Sequence, residues 1–267
     1  MTITHKWRFI ILFIVSAGLI CTGHSYRKVI HTPGIAAYAP GEVLKFNIDF
    51  NGISSGEAIL QVMPDKISLA GREHYHIHVH GRSYKFFDNF YKVRDYYESF
   101  IDVNTFLPSV FIRDIQEGPY TKKEHYLFNQ NTNKVLSDSK IYDVPPGIHD
   151  VISAFYYLRC MDFSTVQEGT VVPVKSFFEN EIFPLGVKFI GRKTIKTDIG
   201  TIKCLLFQPL LIEGRVFKDQ SGMELYVSDD KNQLPVLIQS DVYLGKVSAE
   251  LKSYAGLKYP LAALVKK

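Results

Sequence analysis

The stretch LKFNIDFNGISSGEAILQV, residues 44–62, decides the fold. Leu44, Phe46, Ile48 and Phe50 alternate with Lys45, Asn47 and Asp49, the two-residue period of a half-buried strand. Ala58, Leu60 and Val62 repeat that period against Glu57, Ile59 and Gln61. Between the two runs stands Asn51-Gly52, a pair that tolerates the positive φ angles of a tight hairpin turn. The pattern returns along the chain. Tyr75, Ile77 and Val79 share a face, Met223, Leu225 and Val227 oppose Glu224 and Tyr226, and Val247, Ala249 and Leu251 oppose Ser248, Glu250 and Lys252. With 16 Tyr and 19 Phe against one Trp, the composition favours half-buried pleated surfaces.

One segment breaks the rhythm. After Pro145-Pro146-Gly147, the residues Val151, Ile152, Phe155 and Leu158 fall at helical spacing, with Asp150 at the start and Arg159 at the end, which suits the helix dipole. This predicts one amphipathic helix over 149–160, laid against a sheet. Antiparallel meanders on both sides of it predict a mainly β protein: a large curved antiparallel sheet or open barrel around one amphipathic helix. No linker rich in Pro, Gly or Ser divides the chain, so residues 26–260 are read as a single β-rich domain, with 261–267 as a frayed tail.

The first 25 residues read as a secretory signal peptide. Lys6 and Arg8 open it, Phe9 to Ile20 is almost continuously apolar, and Gly23-His24-Ser25 supplies small residues where a signal peptidase reads. The apolar run falls short of the about 20 residues a spanning helix needs. Cleavage near Ser25 predicts an exported chain of 242 residues (267 less 25), in the periplasm or outer envelope, with any membrane contact peripheral. Losing Lys6 and Arg8 lowers the formal charge from +4 to +2, too little for a nucleic-acid-binding field. Cys21 falls within the leader. Cys160 and Cys204 remain, either as a disulfide or as two packed thiols.

His74, His76, His78 and His80 place four imidazoles on one face of one strand. Neutral imidazole is the commonest metal ligand, but at about 3.3 Å per residue the run spans roughly 20 Å, and one ion reaches two or three of them at most. Glu124, His125 or Asp150 would complete such a shell. We read the face as a solvated or cavity-facing strand and assign it no metal; a metal-dependent hydrolase using part of it is the alternative.

The aromatic stretch from Tyr84 to Phe100 either lines a pocket for an acyl chain or sugar ring, or forms the core. The pocket reading makes Phe87, Phe90, Tyr91, Asp95 and Arg113 the ligand-binding residues. Nucleophile-elbow, His-Glu-x-x-His and phosphate-loop motifs are missing, so no catalytic residue and no cofactor is expected. Glu179 and Glu181, two apart, are read as surface acids on one strand face, and His149, Asp150 and Ser153 do not form a triad at helical geometry.

Taken in order, a set of short motifs resembles an exported bacterial family, domain-of-unknown-function family 3108, in its Bacteroidetes form. They are Gly41-Glu42-Val43-Leu44 with Phe46, Ser55-Gly56-Glu57-Ala58, Arg94-Asp95-Tyr96-Tyr97-Glu98-Ser99, Pro108 through Arg113 to Glu117-Gly118, Asp150 to Arg159, and Leu225-Tyr226-Val227-Ser228-Asp229-Asp230 running into Leu234-Pro235-Val236. The strand-rich plan that the resemblance implies is similar to that of periplasmic lipoprotein carriers and outer-membrane lipoprotein receptors, which hold acyl chains in an open β-barrel. The expected function is therefore a non-catalytic envelope protein that binds a hydrophobic or amphipathic ligand, with a lipid or envelope component as partner; an assembly or structural factor is the second alternative.

Overall fold

A computed structural model describes residues 35–209, 223–242 and 245–266, so the leader reading and Cys21 lie outside the described residues. The first half of the chain contributes β1 (Val43–Phe50), β2 (Ile53–Val62), β3 (Ile67–Leu69), β4 (Arg72–Ser83), the helical turn α1 (Lys85–Asp88), β5 (Val93–Asp102), β6 (Pro108–Glu117), β7 (Tyr120–Asn129), β8 (Lys134–Ser137) and β9 (Lys140–Asp143). Helix α2 (Val151–Leu158) follows. The second half contributes β10 (Val171–Phe178), β11 (Glu181–Thr197), β12 (Gly200–Pro209), β13 (Met223–Ser228), β14 (Pro235–Val242), β15 (Gly245–Ala255) and β16 (Leu264–Lys266).

Among the described residues, all sixteen strands belong to one antiparallel sheet, in the order β10-β11-β12-β13-β14-β15-β1-β2-β4-β5-β6-β7-β8-β9, with β3 on β4 and β16 on β12. Besides β16 on β12 and the pairing of β2 with β4 past β3, chain order is broken where β1 pairs with β15, which joins the two meanders at their far ends. The β1–β2 hairpin turns on Asn51 and Gly52 at φ +52° and +79°, the positive pair that a two-residue turn between right-twisted strands demands.

The sheet curls until its two edges meet without forming a ladder. Ser137 donates to Asn180 at 2.6 Å, Phe177 packs edge-on against Tyr126 at 5.2 Å, and a single parallel bridge joins His149 to Ser176. The result is an open barrel, as the alternation predicts. The buried positions are the alternating ones: Leu44, Phe46, Ile48, Ala58, Leu60, Val62, Ile77, Val79, Val247, Ala249 and Leu251.

Helix α2 lies within the curve, burying Val151, Ile152, Ser153, Ala154 and Tyr156. Asp150 caps it, accepting from the backbone N–H groups of Ile152 and Ser153 at 2.7 and 2.8 Å, and Ser99 on β5 donates to the same carboxyl at 2.7 Å. At the other end Arg159 forms a bidentate pair with Glu42 at 2.7 and 2.9 Å, both fully inside. The helix is thus tied to the sheet at both ends by charged groups.

Three expectations need correction. The tail 261–267 does not simply fray: Lys203 donates its N–H to the Ala263 carbonyl, Asp230 accepts from the Ala263 N–H, and β16 adds to β12. A second helical element, α1, interrupts the β4–β5 connection. Glu179 and Glu181 do not share a strand face, because Glu179 stands in the β10–β11 turn at φ +50°. Cys160 and Cys204 are free thiols.

Candidate functional site

The β4–β5 connection folds back over the end of the barrel. Phe90 and Tyr91 each donate a backbone N–H to the Phe87 carbonyl, at 2.9 and 2.8 Å, so α1 winds into a compact turn. Charge holds it down: Arg94 donates to both oxygens of Asp88, at 3.1 and 2.6 Å, and Ser83 donates to Asp88 while accepting the Val93 N–H.

Under this turn lies a narrow cleft with a cavity volume of about 50 Å³, well below the ~300–1,000 Å³ of sites that enclose a whole small ligand, so it has room only for part of one. Ile48, Phe50 and Val93 supply its inner wall and Phe87, Phe90 and Tyr91 its cover; Glu57, Arg82 and Ser83 stand around them. Gly118 allows the cover to close, since it holds φ +57° and a Cβ there would come within 2.7 Å of the Tyr91 ring. Phe86 and Phe90 are 67 % and 75 % exposed, a large apolar surface to leave in water beside an apolar cleft.

Asp95 and Arg113 sit deeper than the cleft. Along β5, Val93 and Asp95 point the same way, so the carboxyl lies directly behind the wall. Asp95 and Glu117 are both fully buried, and the Gln116 backbone N–H and the Glu117 carboxyl lie close to the Asp95 carboxyl. Burial pushes the Asp95 carboxyl up to about 7, against the attraction of Arg113 and the influence of those neighbouring polar groups. Arg113 donates to Glu124 at 2.8 Å and to Glu179 at 3.3 Å, and its guanidinium covers the Phe178 ring at 4.7 Å. Lys122 and Tyr126 complete the group, the phenol donating to Glu124 at 2.8 Å. Of the five residues expected to bind ligand, three therefore line the cleft, and two belong to a buried charge cluster behind it.

The four histidines of β4 share the outward face as expected, and their surroundings differ. His74 is enclosed: its Nδ1–H donates to the Arg72 carbonyl at 2.9 Å, and Nε2 accepts from Ser109 at 2.7 Å. His80 is exposed. His76 and His78 turn toward each other and toward Glu98 on β5. Glu124, His125 and Asp150, the expected companions, are elsewhere: Glu124 inside with Arg113, His125 exposed on β7, and Asp150 capping α2. Sequence reasoning missed Glu98 because the β4–β5 register, which sets it opposite His78, follows from the length of an unforeseen turn. His149 touches Ser153 at 3.3 Å, with burial pressing its pKa down to about 3.

A family model, "Protein of unknown function (DUF3108)", matches residues 45–252, and the chain belongs to that family. No curated protein matches the chain significantly. Among solved structures it is similar to a β-barrel-like protein of domain of unknown function DUF1849 from Brucella abortus, at TM-score 0.52 and 8 % identity over 82 % of this chain and 99 % of that one. It is also similar to a DUF1089 family protein from Pseudomonas aeruginosa, at TM-score 0.39 and 12 % identity over 70 % and 90 % of the two chains. At such identities the first likeness is one of fold.

Proposed function

We propose that this member of the DUF3108 family is an exported envelope protein that holds the apolar part of an amphipathic ligand in the cleft under α1. One observation carries the reading: an apolar cleft walled by Ile48, Phe50 and Val93 and covered by Phe87, Phe90 and Tyr91, with Phe90 left mostly in water. A core needs no exposed phenylalanine at its edge, whereas a cover that a ligand passes does. The leader reading of residues 1–25 supports export, and the apolar lining favours a lipid-like chain over a sugar, which would need polar groups along the wall.

The reading is tested by titrating the purified chain with a fluorescent long-chain fatty acid. Saturable uptake is expected, with loss in Phe87→Asp and Phe90→Asp while the far-ultraviolet circular dichroism and melting temperature of Phe90→Asp stay as in the parent. No uptake by the parent, or equal uptake by both variants, overturns it. Sequencing the N-terminus of protein taken from the cell envelope checks export, with Tyr26 expected first.

A further inference from the structure

The geometry points to a divalent transition-metal site on the outer face of the sheet, formed by Nε2 of His76, Nε2 of His78 and a carboxylate oxygen of Glu98. The strand period sets the two imidazoles on one face of β4, and the register of β5 puts Glu98 directly opposite His78. Three atoms able to ligate a metal converge: His76 Nε2 and Glu98 Oε2 are 2.5 Å apart, the two Nε2 atoms 2.8 Å, and His78 Nε2 and Glu98 Oε2 3.3 Å. A tetrahedral zinc-like ion with ligand bonds of about 2.1 Å spaces its ligand atoms by about 3.4 Å. One separation already has that value, and the other two need to widen by less than about 1 Å.

The donor set selects the ion. Two imidazoles and one carboxylate suit zinc and its neighbours, whereas magnesium and calcium take oxygen ligands. The groups around the ligands hold them in place. The Tyr96 hydroxyl lies 3.4 Å from His78 Nδ1 and also donates to Glu98, and Phe100 stacks beneath His76 at 4.1 Å with the rings 16° from parallel.

Access is sufficient, since the His76, His78 and Glu98 side chains are 16 %, 26 % and 16 % exposed. Three protein ligands leave a fourth position open to solvent. Two neutral imidazoles and one carboxylate around a divalent ion leave one net positive charge, so that position favours water, hydroxide or an anionic ligand. His74 lends nothing, because both its ring nitrogens are already engaged.

The test strips the untagged full chain with chelator and titrates it with Zn²⁺ by calorimetry and with Co²⁺ by visible absorption. One ion per chain is expected, with a tetrahedral cobalt spectrum. His76→Ala and His78→Ala should each abolish saturable uptake, and Tyr96→Phe should weaken it by roughly 10-fold. His80→Ala, one step further along the same face, should bind as the parent does. Circular dichroism of every variant guards against misfolding as the cause of loss. No saturable uptake by the parent, or equal loss in His80→Ala and His78→Ala, overturns the site.

Discussion

Asp95 and Glu98 stand three residues apart on β5, and the strand sends them to opposite faces. Asp95 looks into the barrel, where burial outweighs Arg113 and the neighbouring polar groups of Gln116 and Glu117 and lifts its carboxyl to about 7. Glu98 looks out. Burial opposes its charge too, but hydrogen bonds from His76 and Tyr96 and the nearby imidazoles outweigh that, and its pKa falls below the usual carboxylate range. The same chemical group is held toward its acid form on one side of a single sheet and as an anion on the other. The difference is one of solvent and partners, because the backbone is shared. Inside, any lost partner strands a charge; outside, water replaces it.

The largest effect should come from breaking the inner side. Arg113→Met removes the guanidinium that faces Glu124 and Glu179 and lies near Asp95, and should cost about 3–5 kcal/mol in urea unfolding. A loss below about 1 kcal/mol would mean that water reaches the cluster.

Next comes the titration of Asp95. Its pKa is raised in the folded state, so the native protein holds this proton more tightly than the unfolded chain does. Its contribution is present in full below about pH 4 and is lost as pH rises through about 7. Asp150, lifted by burial to about 6, slopes the same way. Asp95→Asn should therefore leave stability at pH 4 nearly unchanged and raise it at pH 8 by on the order of 3 kcal/mol, flattening the profile between. Thermal unfolding across that range is the measurement, and an unchanged slope would assign it to Asp150.

Smaller still are the outer substitutions. Phe90→Asp, at a mostly exposed position, should change stability by no more than about 0.5 kcal/mol while abolishing fatty-acid uptake, which separates the cover of the cleft from the core. Arg82→Ala breaks an exposed pair with Glu57 and should cost about 0–1 kcal/mol, falling further in high salt. A cost as large as that of Arg113→Met would erase the distinction between the faces.

Much of the architecture was legible along the chain. The alternation at Leu44–Phe50 and Ala58–Val62 announces strands whose buried sets are those observed, save that Phe50 is only half-buried, and Asn51-Gly52 announces their turn. Helix α2 is announced by its apolar spacing and by Asp150, which proves to be its cap. The candidate sites were half legible. Phe87, Phe90 and Tyr91 could be named as an aromatic group, but which of them face a cleft depends on the turn that Asp88 and Arg94 clamp. Glu42 and Arg159 lie 117 residues apart, and neither signals the other. Pro260 and the closing lysines resemble a loose end, and only the partners offered by Lys203 and Asp230 give that end a place.

Local periodicity, then, determined by itself that this chain makes antiparallel strands, where helix α2 falls, and that four histidines share a face, because side-chain direction along a strand or helix repeats with fixed geometry. Only the tertiary structure decided that Glu98 meets His76 and His78, that Asp95 meets Glu117 and Arg113, and that a cleft opens under α1. Those meetings depend on strand register and on how far the sheet curls. Register and curl are set by turn lengths and by contacts between residues far apart in the chain, and no local window of sequence contains them.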